Sequence, residues 1–162
     1  MLLVSCKKEN QTIQPTANNN SVYYFIRHAE KDKSDSLNNN PHLTEKGLQR
    51  ADKWNQVFKN ISFNAIYSTD YNRTRETASP TAKDDNLEPV IYNPKSINIE
   101  TSLNENKGKT VLVVGHSNTT TNLVNRVLKK DTYNEIDDTN NSNLYIVTVN
   151  DKSISSSLLF IE

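Results

Sequence analysis

The sequence predicts an α/β domain whose central, mostly parallel sheet is flanked by helices on both faces. Three observations lead there. Residues 22–27 and 111–114 are continuous apolar runs rich in β-formers, without the alternation of a half-exposed strand, as expected of strands covered on both sides. Stretches with helical spacing of apolar residues separate the strand-like runs. The two patterns alternate along the chain without an internal repeat, which is the order of an α/β unit.

The elements follow in turn. Residues 22–27 form the first strand. Leu43-Thr44 opens a helix, with Thr44 as N-cap and Leu43 and Leu48 placed as a hydrophobic staple. Leu48, Ala51, Trp54, Val57 and Phe58 give that helix an apolar face. Residues 65–68 read as a short strand. Tyr71 to about Ala82 reads as helix, disturbed near Pro80. Residues 89–92 form another short strand, and Ile99 to Asn106 a weak helix stopped by Gly108. The strand 111–114 is followed by a helix over 119–128, with Leu123, Val127 and Leu128 on its apolar face. Residues 144–149 and 154–161 alternate around Asn150-Asp151-Lys152 and read as a closing hairpin. The asparagine runs at 18–20 and 38–40 read as loops.

A chain of 162 residues sets a prior of one domain. Formal net charge is zero, so there is no electrostatic footprint for nucleic acid. Cys6 is the single cysteine and excludes an internal disulfide. The opening Met1-Leu2-Leu3-Val4-Ser5-Cys6 looks like the tail of a bacterial lipoprotein signal, in which the cysteine carries the lipid. Leu2 to Val4 is too short for a complete apolar h-region of about 7–15 residues. Residues 7–21 are polar, contain Pro15 and lack periodicity, as a tether would. The expected organisation is therefore a truncated lipoprotein signal and flexible tether over 1–21 and a catalytic domain over 22–162. The implied location is a bacterial cell envelope, lipid-anchored through Cys6, or the cytoplasm if the signal is accidental. No stretch approaches the ~20 apolar residues of a membrane-spanning helix.

Function is concentrated at two strand ends. The first strand runs into Arg27-His28-Ala29-Glu30-Lys31, and the strand 111–114 into Gly115-His116-Ser117-Asn118. In open α/β sheets, ligands bind beyond the carboxyl ends of strands. If these two strands are neighbours, their imidazoles face one pocket. A third element, from Ser68 to Ala78, places Arg73 in the first turn of a helix, where free N–H groups already favour an anion. Two guanidiniums, two imidazoles and helix N-termini fit a phosphoryl group, whose oxygens match the planar fork of arginine.

These pieces resemble the histidine phosphatase superfamily, with its phosphoglycerate-mutase-like fold. The matching blocks are Arg27-His28-Ala29-Glu30, then Leu43-Thr44-Glu45-Lys46-Gly47 with Ala51, then Tyr67-Ser68-Thr69 with Arg73 and Thr77-Ala78, then Gly115-His116-Ser117. They occur in family order over residues 22 to about 128. The resemblance implies that His28 is the nucleophile, forming a phosphohistidine that water hydrolyses. It implies that Arg27 and Arg73 clamp the phosphoryl oxygens and that His116 stabilises the transferring group. Asn118 is a candidate substrate donor, with a helix N-cap as the alternative. Arg75 reads as a surface residue.

One departure concerns the general acid, a glutamate after the third strand in many members. No such motif stands between Ser79 and Thr110. Glu100, Glu88 and Glu105 are candidates, with Glu100 favoured because it begins a short helix after the third strand. The competing reading of Glu100 is a carboxylate complementing the helix dipole. His42 reads as a loop residue, or alternatively as a contact at the pocket rim. The histidines and the cysteine lack zinc-ligand spacing, so neither metal nor cofactor is expected. The reading is a metal-independent phosphomonoesterase acting on a phosphorylated small molecule or phosphoprotein. The alternatives are a non-catalytic phospholigand-binding envelope module and a phosphohistidine phosphatase.

Overall fold

The computed structural model describes residues 20–162. The lipid-signal reading of Cys6 and the tether up to residue 19 lie outside the described residues. The elements are β1 (Ser21–Arg27), α1 (Glu45–Phe58), β2 (Ala65–Ser68), α2 (Asn72–Asp84), β3 (Val90–Ile91), α3 (Ile99–Glu105), β4 (Thr110–Gly115), α4 (Ser117–Leu128), β5 (Asn143–Val149) and β6 (Ile154–Phe160). They form one six-stranded sheet in the order β3-β2-β4-β1-β5-β6. The first four strands of that order are parallel, and β5 and β6 add antiparallel at one edge. The fold is the mixed α/β architecture that the sequence predicts.

Side-chain alternation along each strand divides the core into two layers. Tyr23, Phe25, Val111, Val113, Tyr145 and Val147 point to one face and pack with Leu123, Val124 and Val127 of α4. Ile26, Ile66, Leu112, Val114 and Leu144 point to the other, against Trp54 and Phe58 of α1 and Ala78 and Ala82 of α2. The central strands β1 and β4 are covered on both faces, which is why their sequences are apolar without a break.

Several boundaries differ from the sequence reading. Ser21 belongs to β1 rather than to the tether, because its hydroxyl donates to Asn106 O at 3.0 Å and accepts from Gly108 N at 2.9 Å. The third strand shrinks to two exposed residues, with Pro89 and Tyr92 outside it. Helix α2 runs through Pro80 to Asp84, with Ala78, Thr81 and Ala82 buried around the proline, so tertiary packing outweighs the lost backbone bond. Helix α4 starts at Ser117, two residues before the expected start.

The apolar face of α1 also needs correcting. Thr44 caps the helix, its hydroxyl accepting from Gly47 N at 3.1 Å. Leu48 and Val57 are 45% and 36% exposed, however, and the buried stripe is Gly47, Ala51, Trp54 and Phe58. Gly47 sets that rotation. A Cβ there would stand 2.2 Å from Glu30 O, so the bare glycine lets α1 press onto the loop after β1. Leu43 then packs with Ala29 and Ala51 rather than stapling to Leu48. No helix among the described residues is long and apolar enough to cross a membrane.

Candidate active site

The register of the sheet builds the site. β1 and β4 pair in parallel with Arg27 opposite Gly115, so His28 and His116 leave the sheet side by side. The His28 N–H donates to Gly115 O at 2.9 Å, and the imidazole centroids are 5.4 Å apart with planes at 68°. Gly115 is required by crowding: a Cβ would meet Thr120 Oγ1 at 2.9 Å and Tyr92 Oη at 3.1 Å. The loop after β1 is tied down from several directions. Ala29 N donates to Thr77 Oγ1 at 2.9 Å, and Asn141 Nδ2 donates to His28 O at 2.8 Å. Glu30 accepts from Arg50 Nε at 2.9 Å.

His28 is 3% exposed. Its Nδ1 lies 2.7 Å from Ala29 O. A carbonyl can only accept, so Nδ1 carries the proton and Nε2 keeps its lone pair. Burial pushes the His28 pKa down to about 3, and Arg27, His116 and Arg73 push in the same direction. The result is a neutral imidazole at neutral pH, the form able to attack phosphorus.

The tautomer of His116 follows from a hydroxyl chain. Thr74 Oγ1 donates to backbone carbonyl oxygen, of Thr69 or Tyr71, at 2.9 Å. Thr69 Oγ1 donates to Thr74 Oγ1 at 3.0 Å and so accepts from His116 Nε2 at 2.9 Å. Nδ1 is left as an acceptor, 3.4 Å from Arg73 Nη2. Burial, followed by the charges of Arg73, Arg27 and Lys31, lowers the His116 pKa to about 4. A dianion bound beside His116 would oppose that local field and favour the protonated imidazole.

The two guanidiniums are buried, with Arg27 3% and Arg73 9% exposed. Arg27 Nη1 donates to Asp137 O at 2.8 Å and Asn140 O at 3.1 Å, and Nη2 pairs with Asp138 Oδ1 at 2.5 Å. The Lys33 ammonium, then Arg27, lowers the Asp138 pKa to about 2. Arg73 lies 4.4 Å over the Tyr71 ring, and Tyr71 meets the edge of His116 at 5.0 Å between centroids. Burial is the main cause lowering the Arg73 pKa. Arg27 Nε and Arg73 Nε and Nη1 are buried without a hydrogen-bond partner among the described residues. Leaving buried donors unmade costs roughly 1–3 kcal/mol each, so these groups ask for an oxygen-rich ligand.

A cleft of about 810 Å³ opens over these residues, within the size of small-molecule sites. It is lined by Arg27, His28, Arg73 and His116, with Asn118 exposed at its wall. The structure thus brings together five of the six predicted site residues. Glu100 is not among them: it is exposed on α3, whose Ile99 and Leu103 pack on the α4 side of the sheet. Its position in the first turn of α3 fits the helix-dipole reading. His42 pairs with Glu76, which also accepts from Leu43 N, and Arg75 pairs with Asp70 at 2.6 Å. No group of three His, Cys, Asp or Glu able to hold a metal ion occurs among the described residues.

Sequence reasoning assigned no role to Thr69, Tyr71, Lys31 or Asp138, all of which line the cleft. Thr69 and Tyr71 flank a motif already in view. Asp138 lies 111 residues from Arg27 in an irregular loop, where the sequence carries no signal.

Strand-end histidines thus share one cleft with two buried arginines, an arrangement whose chemistry suits a phosphoryl group. A family model for the histidine phosphatase superfamily (branch 1) matches residues 23–95. No curated protein sequence matches the chain. Among solved structures it is similar to the protein histidine phosphatase SixA complexed with tungstate, at 15% identity and a TM-score of 0.70 over 86% of this chain and 96% of that one. It is similar to a phosphoserine phosphatase of Entamoeba histolytica in complex with phosphoserine, at 14% identity and a TM-score of 0.64, covering 85% and 96%. A phosphoglycerate mutase of Bacillus anthracis matches at 15% identity and a TM-score of 0.66, covering 90% of this chain and 95% of that one.

Proposed function

We infer that this protein is a metal-independent phosphohydrolase acting through a phosphohistidine on His28. The observation that carries the reading is a neutral, tautomer-fixed His28 beside buried arginine donors that lack partners among the described residues. His28 Nε2 attacks phosphorus and forms the P–N bond while the P–O bond to the leaving group breaks. The guanidiniums and His116 hold the charge on the equatorial oxygens. Water then attacks phosphorus, the P–N bond breaks, and His28 returns to its neutral form with release of phosphate.

The carboxylates lining the cleft are Asp70 and Asp138. Both are ion-paired, with Arg75 and with Arg27 and Lys33 respectively. Neither is poised to protonate a leaving oxygen, so good leaving groups are preferred. The same observation favours a second reading, hydrolysis of a phosphoramidate such as phosphohistidine. The phosphatase reading is tested by hydrolysis of 4-nitrophenyl phosphate with EDTA present, comparing wild type with His28→Ala. Turnover confined to wild type supports it. Absence of turnover in folded wild type points to a phospholigand-binding module.

We also propose a lipid on Cys6 and an envelope location, supported by the run Leu3-Val4-Ser5-Cys6. Fatty-acid labelling of wild type against Cys6→Ser tests it, and equal labelling of the two would refute it.

A further inference from the structure

The two edges of the sheet are finished differently. β3, at one edge, is two residues long, whereas β6, at the other, runs for seven. A long open edge is a template for another strand, and proteins usually blunt it with charge, proline or a covering element. β6 reads Ile154-Ser155-Ser156-Ser157-Leu158-Leu159-Phe160, with neither charge nor proline. Leu158 and Leu159 are 45% exposed and Phe160 59%.

The hydrogen bonds at the two ends of the β5–β6 ladder show which backbone groups face outward. Asn150 N donates to Ser153 O at 3.0 Å, and Ile161 N donates to Ser142 O at 2.8 Å. Along an antiparallel pair, residues alternate between bonding their neighbour and facing away from it. Ser153 and Ile161 bond toward β5, so Ser155, Ser157 and Leu159 between them do the same. Ile154, Ser156, Leu158 and Phe160 therefore turn their N–H and C=O groups to the open edge, where no described strand meets them.

We propose that this edge is a dimer interface, in which β6 pairs antiparallel with β6 of a second copy about a two-fold axis at Ser157. Such an axis is normal to the sheet and makes the contact isologous, so every pair occurs twice. Centred on Ser157, the pairing sets Ile154 against Phe160 of the second copy and Ser156 against Leu158. All four outward-facing residues then find backbone partners, and the Ile–Phe match is a favourable cross-strand pair. The same register sets Lys152 against Glu162 of the second copy. Asp151 pairs instead with Lys107 at 2.8 Å, and neither Lys152 nor Glu162 has an ion pair among the described residues. Moving the axis to Ser156 or Leu158 loses both the Ile154–Phe160 pair and the charge match. None of the residues lining the catalytic cleft belongs to β6, so the dimer leaves the cleft open.

The test is sedimentation velocity over a dilution series of the full chain carrying Cys6→Ser, which removes any lipid or disulfide on that cysteine. A reversible equilibrium between one and two chain masses is expected. Leu158→Pro deletes an outward N–H and spares the β5 ladder; it should leave only monomer, with circular dichroism unchanged. Lys152→Glu places like charges opposite each other twice and should weaken the dimer about tenfold. The exchange Lys152→Glu/Glu162→Lys should restore it. Ser157→Cys lies on the axis, where Cα atoms of a non-hydrogen-bonded pair stand about 4.5 Å apart. It should give a disulfide-linked dimer on mild oxidation, and Leu159→Cys should not. The charge exchange and the cross-link decide the matter even if Leu158→Pro does not fold. Monomer at every concentration overturns the proposal and leaves the edge to another occupant. A dimer indifferent to these substitutions also overturns it, because it belongs to another surface. So does a mass that grows past two chains, which marks open-ended strand pairing.

Discussion

Arg27 and Arg73 face the same cleft but are built into it in different ways. Arg27 ends a core strand, and three of its bonds go to the loop between α4 and β5, at Asp137, Asp138 and Asn140. Arg73 opens a helix, rests on the Tyr71 ring, and keeps two nitrogens unpartnered. The first is positioned before substrate arrives and offers one remaining donor. The second offers a free edge, which in the proposed mechanism the phosphoryl group satisfies. A clamp of this kind combines a fixed reference point with an adaptable partner, and preorganisation on one side lowers the ordering cost of the whole site.

The sharpest way to break this comparison is Arg73→Ala, which removes both free donors of the adaptable side. The expected loss in kcat/KM is on the order of 10²–10³-fold, the scale of losing a transition-state charge donor. Arg73→Lys should recover little, because an ammonium lacks the fork. A loss under tenfold would show that Arg27 alone suffices.

Acid tests how the buried imidazoles between the two arginines are held. His28 and His116 have pKa values lowered to about 3 and about 4. Between those values and the ordinary 6.5 the unfolded chain binds more protons than the native one, so stability rises with pH through that window. Lowering pH from 7 to 5 should therefore destabilise the fold by up to about 2 kcal/mol per histidine. Denaturant midpoints should show this in wild type and show less of it in His28→Ala. Equal slopes in the two proteins would contradict the burial argument for His28.

Asp138→Asn sharpens the comparison from the fixed side. The Asp138 side chain is 63% exposed, so solvent screens the pair, and the carbonyl oxygens of Asp137 and Asn140 still hold Nη1. A loss of about tenfold or less in kcat/KM is expected. A loss equal to that of Arg73→Ala would make the carboxylate, rather than the carbonyls, the anchor of Arg27. The smallest effect belongs to Leu48→Gln on the exposed side of α1, expected within about 0.5 kcal/mol of wild-type stability by denaturant titration. A larger cost would restore Leu48 to the core.

Much of this site was legible in the sequence because its chemistry sits at strand ends. Arg27, His28 and His116 are read from apolar runs that stop in polar residues, and the Arg27–Gly115 register brings the two histidines together. Arg73 was legible from its place after a short strand. The supports were not. Asp138 and Asn141 act across more than a hundred residues from an irregular loop, where neither periodicity nor capping leaves a trace. The α1 face was misread because the close approach of Gly47 to Glu30, rather than the count of apolar residues, sets the helix rotation. Glu100 was proposed from proximity in sequence, and α3 carries it onto the outside of the fold instead.

The most direct test of the central claim is a rapid-quench trap of the phosphoenzyme, with the modified residue located by mass spectrometry under alkaline conditions. The account predicts one acid-labile phosphoryl group per chain on His28, absent in His28→Ala. Steady turnover of substrate with no phosphohistidine, or with the phosphoryl group on another residue, would contradict it.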